Sequence, residues 1–326
     1  MGATEAVKIG VIGRGFGRRV VARVFDETDG CEVVDVVSPR DEAAVRALCA
    51  HPGVDLVAVH SPPFLHHDHV IWAIEGRKAV LCDKPFGCHE ADAVAMETAA
   101  RDAGTLAFLN FEFRLHPGRV ALRALVDEGA VGTVEHVQWS AFAAGSREPL
   151  RAYGWLFDAD QGGGWIGAWG SHAIDFLRWT FGEIVDAHAH LRTTVVERPD
   201  GDGSTRRSTA EDGFTAWMTT ERDASVTIDT TFVSRVNVPT RITVLGSEGA
   251  LESIGDGRIM LRTDEGPTEV FTFDAPAEDP HLVPMRAWAE VVRDAVRAGV
   301  VPDGVPTFAD GVACARVMDQ LRDVRA

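Results

Sequence analysis

The first third of the chain alternates short apolar runs with longer stretches of helix-forming residues. The apolar runs are rich in Val and Ile and predict five strands, at residues 7–12, 32–37, 54–59, 79–82 and 106–110. The stretches between them predict four helices, at residues 19–26, 41–50, 66–75 and 90–103. Strands that alternate with helices are typical of a parallel sheet covered by helices, so we expect an α/β domain here.

The rest of the chain has a different pattern. Seven strand candidates follow with few helices between them, at residues 134–143, 185–196, 214–220, 226–232, 241–245, 258–262 and 269–273. Val226, Ile228 and Thr230 would face one way and the residues between them the other. Short turns between such runs indicate an open, mainly antiparallel sheet with one face in solvent or in an interface.

Three further segments complete the prediction. The polar residues 199–210 predict a loop, and residues 284–298 and 308–324 predict two closing helices. The composition changes near residues 117–133, where a helix could lead out of the first domain. We therefore predict two domains, residues 1–118 and residues 119–326.

Composition and charge narrow the class of protein. With 45% hydrophobic and 25% charged residues, the 326-residue chain is typical of a globular protein. A net charge of −17 disfavours nucleic acid and anionic membranes as partners. No apolar run is long enough for a spanning helix, and the first residues lack the pattern of a signal peptide. The five scattered cysteines include no CxxC pair, which is typical of reduced thiols in a cytoplasmic protein.

A glycine-rich turn joins the first strand to the first helix. It reads Gly13, Arg14, Gly15, Phe16, Gly17, Arg18. In a dinucleotide-binding fold, the first glycine makes the tight turn and the second lets the backbone approach the pyrophosphate. The third position is Arg18, with Gly17 one place earlier. We predict a Rossmann domain that binds NAD(P) at this turn.

The end of the second strand bears on which cofactor is bound. NAD sites usually carry an acidic residue there, whereas NADP sites often carry Arg and small polar residues. If the strand ends at Val37, Ser38 takes the acidic position and Arg40 can meet a 2′-phosphate. Asp35 is the alternative acidic residue, but it lies within the apolar run. We favour NADP(H), with NAD(H) as the alternative.

Only three of the 32 basic residues are lysines, and one of them, Lys84, follows the fourth strand. In open parallel sheets, ligands bind at the carboxyl ends of the strands. Pro85 restricts the backbone of Lys84 to extended or turn conformations. The pKa of an ammonium group falls when the group loses its hydration. A desolvated lysine at position 84 could therefore move a proton at a substrate oxygen, whereas an arginine, which stays charged, could not. A lysine in a surface turn is the alternative.

A second candidate lies in a glycine-rich stretch that runs from Gly162 to Asp175. Ser171 is a plausible N-cap of a helix, and His172 and Asp175 share one face of its first turn. A histidine titrates near neutral pH and is a ready acid or base. A structural histidine is the alternative, and Asp175 could also serve as a charge at the helix start.

Together these motifs resemble the Gfo/Idh/MocA family, which includes glucose–fructose oxidoreductase and inositol dehydrogenase. The resemblance rests on the glycine turn, residues 61–66, 83–85, 110–117 and 162–175, in that order, and it extends to residues 306–311. It implies a Rossmann domain followed by an open antiparallel sheet, which commonly forms the interface of a homo-oligomer.

The resemblance also implies roles for individual residues. The family's Glu-Lys-Pro matches Asp83-Lys84-Pro85, so Lys84 would contact substrate and nicotinamide, and His172 would exchange the substrate proton. The other residues implied to lie at the cofactor are Ser61, Pro62, His66, Asp83 and Arg114, in addition to Lys84.

One departure from the family concerns a carboxylate. Many of its polyol dehydrogenases carry an aspartate four residues before the histidine, where this chain has Ala168. Glu112 or Asp175 could supply the carboxylate at the substrate. Trp165 and Trp169 flank the proposed site, and aromatic faces suit the apolar faces of sugar rings, although burial is the alternative.

The sequence thus predicts an NAD(P)-dependent dehydrogenase or reductase. It would interconvert an alcohol and a carbonyl on a sugar, a cyclic polyol or a related small molecule. An NAD-assisted glycosidase of the same superfamily and a non-catalytic regulator that senses dinucleotide or sugar are the alternatives. We predict no metal site, because His66, His67 and His69 have no Cys or acidic partner at matching spacing beyond Asp68.

Overall fold

The structure of the chain is a computed structural model that describes residues 5–323. The described chain forms two compact units. The first unit contains the chain up to Leu115 together with Glu278–Ala315, and the second contains His116–Ala277 and the residues from Arg316. Each unit is built around its own sheet.

The first unit contains the parallel sheet that the alternating pattern predicts. Its five strands have the order β2-β1-β3-β4-β5, with all neighbours parallel. Val11, Leu56 and Leu81 are fully buried, since helices cover both faces of such a sheet. The strands are β1 (Val7–Ile12), β2 (Cys31–Val37), β3 (Leu56–Val59), β4 (Ala79–Cys82) and β5 (Ala107–Leu109).

The helices between these strands also follow the prediction. A π-helical segment, Gly17–Ala22, leads directly into the first helix, and Asp41 caps the second by accepting a hydrogen bond from the Ala44 N–H at 3.1 Å. The helices are α1 (Arg23–Glu27), α2 (Glu42–Ala50), α3 (His66–Glu75) and α4 (Glu90–Asp102).

The C-terminal part of the chain returns to the first unit, which differs from the predicted division at residues 118 and 119. Helix α7 (Leu282–Ala298) places Met285, Trp288 and Val292 in the same hydrophobic core as strand β1. The indole of Trp288 meets the ring of Phe108 edge-on, with 6.0 Å between the ring centres. The sequence pattern places residues 278–315 in the second domain, because an amphipathic helix does not reveal which sheet it covers.

The second unit contains an eight-stranded sheet, as expected mainly antiparallel. Its order is β15-β14-β13-β12-β6-β11-β10-β7, and only β6 and β11 run parallel. The strands are β6 (Val134–Phe142), β7 (Ile184–Arg192), β10 (Gly213–Thr220), β11 (Ser225–Thr231), β12 (Val238–Gly246), β13 (Gly249–Ile254), β14 (Arg258–Thr263) and β15 (Gly266–Thr272). Sequence analysis missed β13, because its buried face includes the polar Ser253 beside Leu251.

The predicted loop at residues 199–210 contains part of a short hairpin: Pro199 and Thr205–Arg207 are in strands, and the residues between them form its turn. Strand β8 (Glu197–Pro199) pairs with strand β9 (Thr205–Arg207). The buried Arg198 lies 3.7 Å from the ring centre of Phe157 and donates a hydrogen bond to the Ser146 carbonyl at 2.9 Å. An arginine rather than an apolar residue anchors this segment, and hydrophobic patterning therefore does not reveal it.

Three more α-helices lie in the described chain. They are α5 (Pro117–Asp127), α6 (Ser171–Phe181) and α8 (Phe308–Arg322). Among residues 5–323, no helix has both the length and the apolar character needed to cross a membrane.

Candidate active site

The glycine turn begins at Gly13, where only a glycine fits. Gly13 has φ = 144°, in the region that favours glycine, and its N–H donates to the Val37 carbonyl at 3.0 Å. A Cβ atom at this position would lie 2.5 Å from the carbonyl oxygen of His60. The turn is therefore held tightly between the ends of β2 and β3.

The other two glycines differ in their surroundings. A Cβ atom on Gly15 would have no heavy atom within 4 Å, so this part of the backbone is open to a ligand. A Cβ atom on Gly17 would lie 3.2 Å from a methyl of Val11 and 3.1 Å from the Cβ of His60. Gly17 thus provides the close contact between helix and strand, and Arg18 at the usual third position is exposed. The turn fits a dinucleotide pyrophosphate.

The end of β2 distinguishes the two candidates for the cofactor position. Strand β2 ends at Val37, next to Gly13, so Ser38 is the first residue beyond the strand and the exposed Arg40 follows in the same turn. Asp35 instead pairs with Gly10 inside the sheet, and its carboxylate accepts from the Val36 N–H at 2.7 Å. Ser38 therefore occupies the position where NAD sites usually carry an acid.

The residues around Ser61 and Pro62 form a loop that follows β3. His66 is fully buried beneath this loop, with Nε2 2.7 Å from the Ser61 carbonyl oxygen and Nδ1 3.1 Å from the Phe86 carbonyl oxygen. Burial lowers the pKa of His66, although Asp83 and the two carbonyl groups act in the opposite direction. His66 thus joins the Ser61 loop to the segment that follows Lys84.

Lys84 lies at the carboxyl end of β4, as the sequence predicted. Asp83 accepts a hydrogen bond from the Lys84 main-chain N–H at 2.9 Å and one from the Asn110 side chain at 3.3 Å. Its other carboxylate oxygen lies 3.2 Å from Nδ1 of His60. Burial alone would raise the pKa of Asp83, but contacts with His60 and the charge of Lys84 hold it well below its ordinary value. Asp83 is therefore an anion that fixes the backbone of Lys84.

The segment after β5 carries two of the predicted site residues. Glu112 is fully buried, and Nδ1 of His281 lies 2.6 Å from its Oε1. Arg114 is 6% exposed and donates to Asp310 at 2.7 Å. Both side chains therefore tie the end of β5 to the returning C-terminal segment of the first unit.

In the second unit, His172 lies near the start of a helix that begins earlier than predicted. A π-helical segment, Ile166–Gly170, runs directly into α6. Ser171 is consequently not an N-cap: it has helical backbone angles, and its hydroxyl donates to the Gly167 carbonyl at 2.7 Å. The glycine-rich sequence of this segment does not indicate the additional helical turn. His172 and Asp175 are both buried, and their spacing puts them on one face of α6.

A buried carboxylate holds the start of this helical segment. Oε1 of Glu211 accepts a hydrogen bond from the Ile166 N–H at 2.9 Å, and the Glu211 carbonyl accepts one from the Trp165 N–H at 3.0 Å. A Cβ atom on Gly164 would lie 2.2 Å from the same carboxylate. Burial raises the pKa of Glu211, with the charge of Arg322 as the main opposing effect.

The two predicted pocket tryptophans form an aromatic stack in the second unit. The rings of Trp165 and Trp169 are nearly parallel with centres 5.9 Å apart, and Trp165 also stacks on Phe232 at 4.4 Å. Nε1 of Trp165 donates to the Thr230 hydroxyl at 2.9 Å. Both indoles are half-buried, so each keeps part of its surface exposed.

Comparisons with known proteins agree with this architecture. The model of an oxidoreductase family with an NAD-binding Rossmann fold matches residues 7–111, and that of the GFO/IDH/MocA C-terminal domain matches residues 120–252. An uncharacterised oxidoreductase of Synechocystis sp. is 29% identical over 260 residues, covering 74% of this chain and 70% of the relative. D-apiose dehydrogenase of Paraburkholderia graminis is 28% identical over 316 residues, covering 89% of this chain and 76% of the relative.

A similar solved structure is that of a levoglucosan dehydrogenase in complex with NADH and L-sorbose. It has a TM-score of 0.86 and covers 98% of this chain and 96% of its own chain, at 19% identity. The fold and the glycine turn define a dinucleotide-dependent oxidoreductase. The chain belongs to the GFO/IDH/MocA family of oxidoreductases, so the resemblance and the fold that we predicted from its motifs are confirmed.

Sequence analysis missed two residues that the structure brings to this site. His60 and Asn110 each directly follow a buried strand, as Asp83 does. A polar residue immediately after a buried parallel strand is a signal that could have identified them, because such residues meet at one edge of the sheet.

Proposed function

We propose that this protein is an NADP(H)-preferring oxidoreductase that interconverts an alcohol and a carbonyl on a sugar, a cyclic polyol or a related small molecule. The observation that carries the proposal is the carboxyl edge of the parallel sheet. There the open backbone of Gly15 and the anchored Lys84 lie in one unit, in the turns that follow β1 and β4. We also propose that the first unit binds the dinucleotide and that the second unit binds the substrate.

The proposed chemistry assigns one step to each of two residues. A bound nicotinamide cofactor would supply or accept the hydride. Lys84 would donate a hydrogen bond to the substrate oxygen and stabilise the charge that develops on it. His172 would take or return the proton of that oxygen as general base or acid. His172 is 5% exposed and starts a helix face that also carries Asp175, which we propose as a contact for substrate.

The preference for NADP(H) rests on the turn after β2. Ser38 leaves room for a 2′-phosphate where an acid would repel it, and the guanidinium group of Arg40 is exposed two residues later. The proposal concerns this chain alone, since the similar levoglucosan dehydrogenase structure contains NADH.

The substrate class rests on the aromatic stack and on the relatives. The half-buried Trp165 and Trp169 offer flat apolar surfaces of the kind that pack against sugar rings. D-apiose and levoglucosan dehydrogenases are named for carbohydrate substrates. A carbohydrate is therefore the partner that this chain fits best.

We also propose a cytoplasmic homo-oligomer that assembles through the eight-stranded sheet. One face of this sheet is buried, whereas the other exposes alternate residues, among them Trp217 at 47% and Leu245 at 43%. Large exposed apolar side chains amid polar neighbours are typical of an interface.

The test is a panel of sugars, inositols and keto-sugars with NADPH and NADH, followed by the absorbance of the reduced cofactor. Lys84→Met and His172→Asn are each expected to lower kcat by about 100-fold or more, the scale of general acid–base catalysis, while cofactor binding is kept. Arg40→Ala is expected to weaken the preference for NADPH.

Two matched variants serve as controls. Lys8→Met removes another lysine of the same unit, and His51→Asn removes an exposed histidine, and both are expected to keep wild-type rates. Wild-type turnover in Lys84→Met or His172→Asn would contradict the assigned roles, and a faster reaction with NADH would contradict the cofactor preference.

A further inference from the structure

His60, Asp83 and Asn110 form a row of polar residues at the carboxyl edge of the parallel sheet. Each is the first residue after its strand, and its main-chain N–H still bonds to the neighbouring strand: His60 to Ile12, Asp83 to Val59 and Asn110 to Cys82, each at 2.8 Å. Their backbones are therefore as rigid as the sheet itself.

The side chains of this row converge on Asp83. One carboxylate oxygen accepts from Asn110 at 3.3 Å and from the main-chain N–H of Lys84 at 2.9 Å. The other lies 3.2 Å from Nδ1 of His60. The first oxygen thus accepts two hydrogen bonds, one of which fixes the peptide group that carries Lys84, whereas the second lies at ion-pair distance from His60 without hydrogen-bond geometry.

The side chain of His60 is completely buried beneath the glycine turn. Its Cβ atom closes the space under Gly13 and Gly17, and its ring centre lies 5.8 Å from that of Phe16. Because the ring is shielded from solvent under the turn, we expect it to stay beside Asp83. Its contact with the carboxylate is therefore a fixed part of the unit.

The contact between His60 and Asp83 matters because Asp83 carries a negative charge. The Asp83 side chain is 14% exposed, and a carboxylate that is shielded from water needs opposite charges or hydrogen-bond donors. If the imidazole is replaced by an apolar group, the carboxylate loses its partner on this side, and we expect it to rotate toward water. That rotation weakens its bond to the Lys84 N–H.

We propose that His60 is a positioning residue, which acts through Asp83 to orient Lys84 for the reaction. The proposal rests on the catalytic role of Lys84 given above, but the coupling of the three residues does not depend on the substrate. In this proposal, His60, which lies under the glycine turn, sets the position of Lys84, which is proposed to contact the substrate.

The scarcity of lysine in this chain allows a direct measurement. Reductive methylation with ¹³C-formaldehyde labels the side chains of Lys8, Lys78 and Lys84 and the N-terminal amine, and the Lys84 signal is the one that Lys84→Arg removes. The ¹H–¹³C spectrum is recorded on cofactor-free protein for His60→Leu, His60→Asn and Asp83→Asn. His60→Asn keeps an N–H donor close to the position of Nδ1, and it is therefore the conservative variant.

We expect the Lys84 signal to move in His60→Leu and Asp83→Asn and to stay near its wild-type position in His60→Asn, with Lys8 and Lys78 unchanged. Once a substrate is known, kcat is expected to fall about 10-fold or more in the first two variants, the scale of one hydrogen bond to a charged group, while the KM for cofactor changes little. The kcat of the double variant His60→Leu/Asp83→Asn is expected to be no lower than that of Asp83→Asn alone.

Val57→Ala is the control for general destabilisation. It removes buried side-chain volume from β3, the strand that His60 follows, without changing Asp83 or His60. It should lower the midpoint of thermal unfolding and leave the Lys84 signal in place. A folded His60→Leu variant with an unmoved Lys84 signal would overturn the proposal, as would an equal shift in Val57→Ala. Because the signal is read without cofactor or substrate, these outcomes are separate from a failure of the proposed activity.

Discussion

The three glycines of the glycine-rich turn after β1 differ in their surroundings. Gly13 has a positive φ and lies against the carbonyl of His60. Gly17 packs on Val11 at the start of a π-helical segment, which accompanies the shift of the third glycine by one position. Only Gly15 faces open space, so it alone tests ligand binding separately from folding.

Gly15→Ala is therefore expected to leave the fold intact and to weaken the binding of cofactor. Its Cβ atom meets no protein atom, but it would occupy the space that a pyrophosphate needs. We expect the Kd for NADPH to rise about 10-fold or more, the cost of losing one charge-assisted hydrogen bond. Titration of NADPH fluorescence measures this, together with an unchanged midpoint of thermal unfolding.

Gly201→Ala is the matched control for this variant. Gly201 also has open space around a Cβ atom, but it lies between strands β8 and β9 in the second unit. It should change neither property. An unchanged Kd in Gly15→Ala would show that the turn does not carry the pyrophosphate.

The residues that the sequence could reveal are those that carry a local signature. Lys84 was found because it follows an apolar run and precedes a proline, and the glycines because of their spacing. His60 carries only the weaker signal of a polar residue directly after an apolar strand. Its partner Asp83 is 23 residues away along the chain, and Asn110 lies another 27 beyond. Only the parallel register of β3, β4 and β5 brings them together.

At the scale of an element, the helix that carries His172 depends on a residue far along the chain. Glu211 accepts the N–H of Ile166 and lies against Gly164, so it fixes where the helical segment begins. Removing the acceptor in Glu211→Ala leaves a buried N–H unsatisfied, which costs about 1–3 kcal/mol. Glu211→Gln keeps an acceptor and is the informative comparison.

The stability of Glu211→Gln relative to wild type should depend on pH. Burial raises the pKa of Glu211 in the folded chain, so the folded state holds this proton more tightly than the unfolded state does. That stabilisation is complete below the unfolded pKa and is lost as pH rises through the folded pKa. Because glutamine does not titrate, its advantage over glutamate should grow from mildly acidic to neutral pH.

The midpoints of thermal unfolding of Glu211→Gln and wild type, each measured at mildly acidic and at neutral pH, test this dependence. Glu248→Gln controls for the loss of one negative charge at an exposed position. If the difference between Glu211→Gln and wild type is the same at both pH values, burial does not set the titration of Glu211.

The elements that sequence analysis recognised are those whose burial is apolar. Strands β1 and β4 and helix α3 have the predicted bounds, because each presents continuous or periodic hydrophobic residues. Strand β13 and the β8–β9 hairpin lack this signal. Ser253 and Arg198 occupy positions in them where a hydrophobic residue would have been conspicuous.

At the scale of the whole molecule, the chain order and the spatial order diverge. The first unit is completed only when α7 adds Trp288 and Val292 to a core that begins at Val7. A linear division of the sequence therefore cuts through one core. The pattern predicted both sheets, but it did not contain the information that the chain returns.

Assembly is the remaining property at this scale, and Trp217 offers its test. Its indole is 47% exposed on the face of the eight-stranded sheet, where His188 stacks on it with ring centres 6.0 Å apart. Because the side chain is already in contact with water, Trp217→Arg should not unfold the second unit. In an interface, however, it would replace a large apolar contact with a charge that must lose its water.

We therefore expect wild-type protein to sediment as a homo-oligomer and Trp217→Arg to sediment as a smaller species, with an unchanged circular dichroism spectrum. Val300→Arg places the same charge at a position that is 59% exposed in the first unit, and it should sediment like wild type. Equal sedimentation of Trp217→Arg and wild type would exclude this face of the sheet as the interface. A shift in Val300→Arg alone would instead place the contact near the end of α7, because the added charge would then disturb that surface.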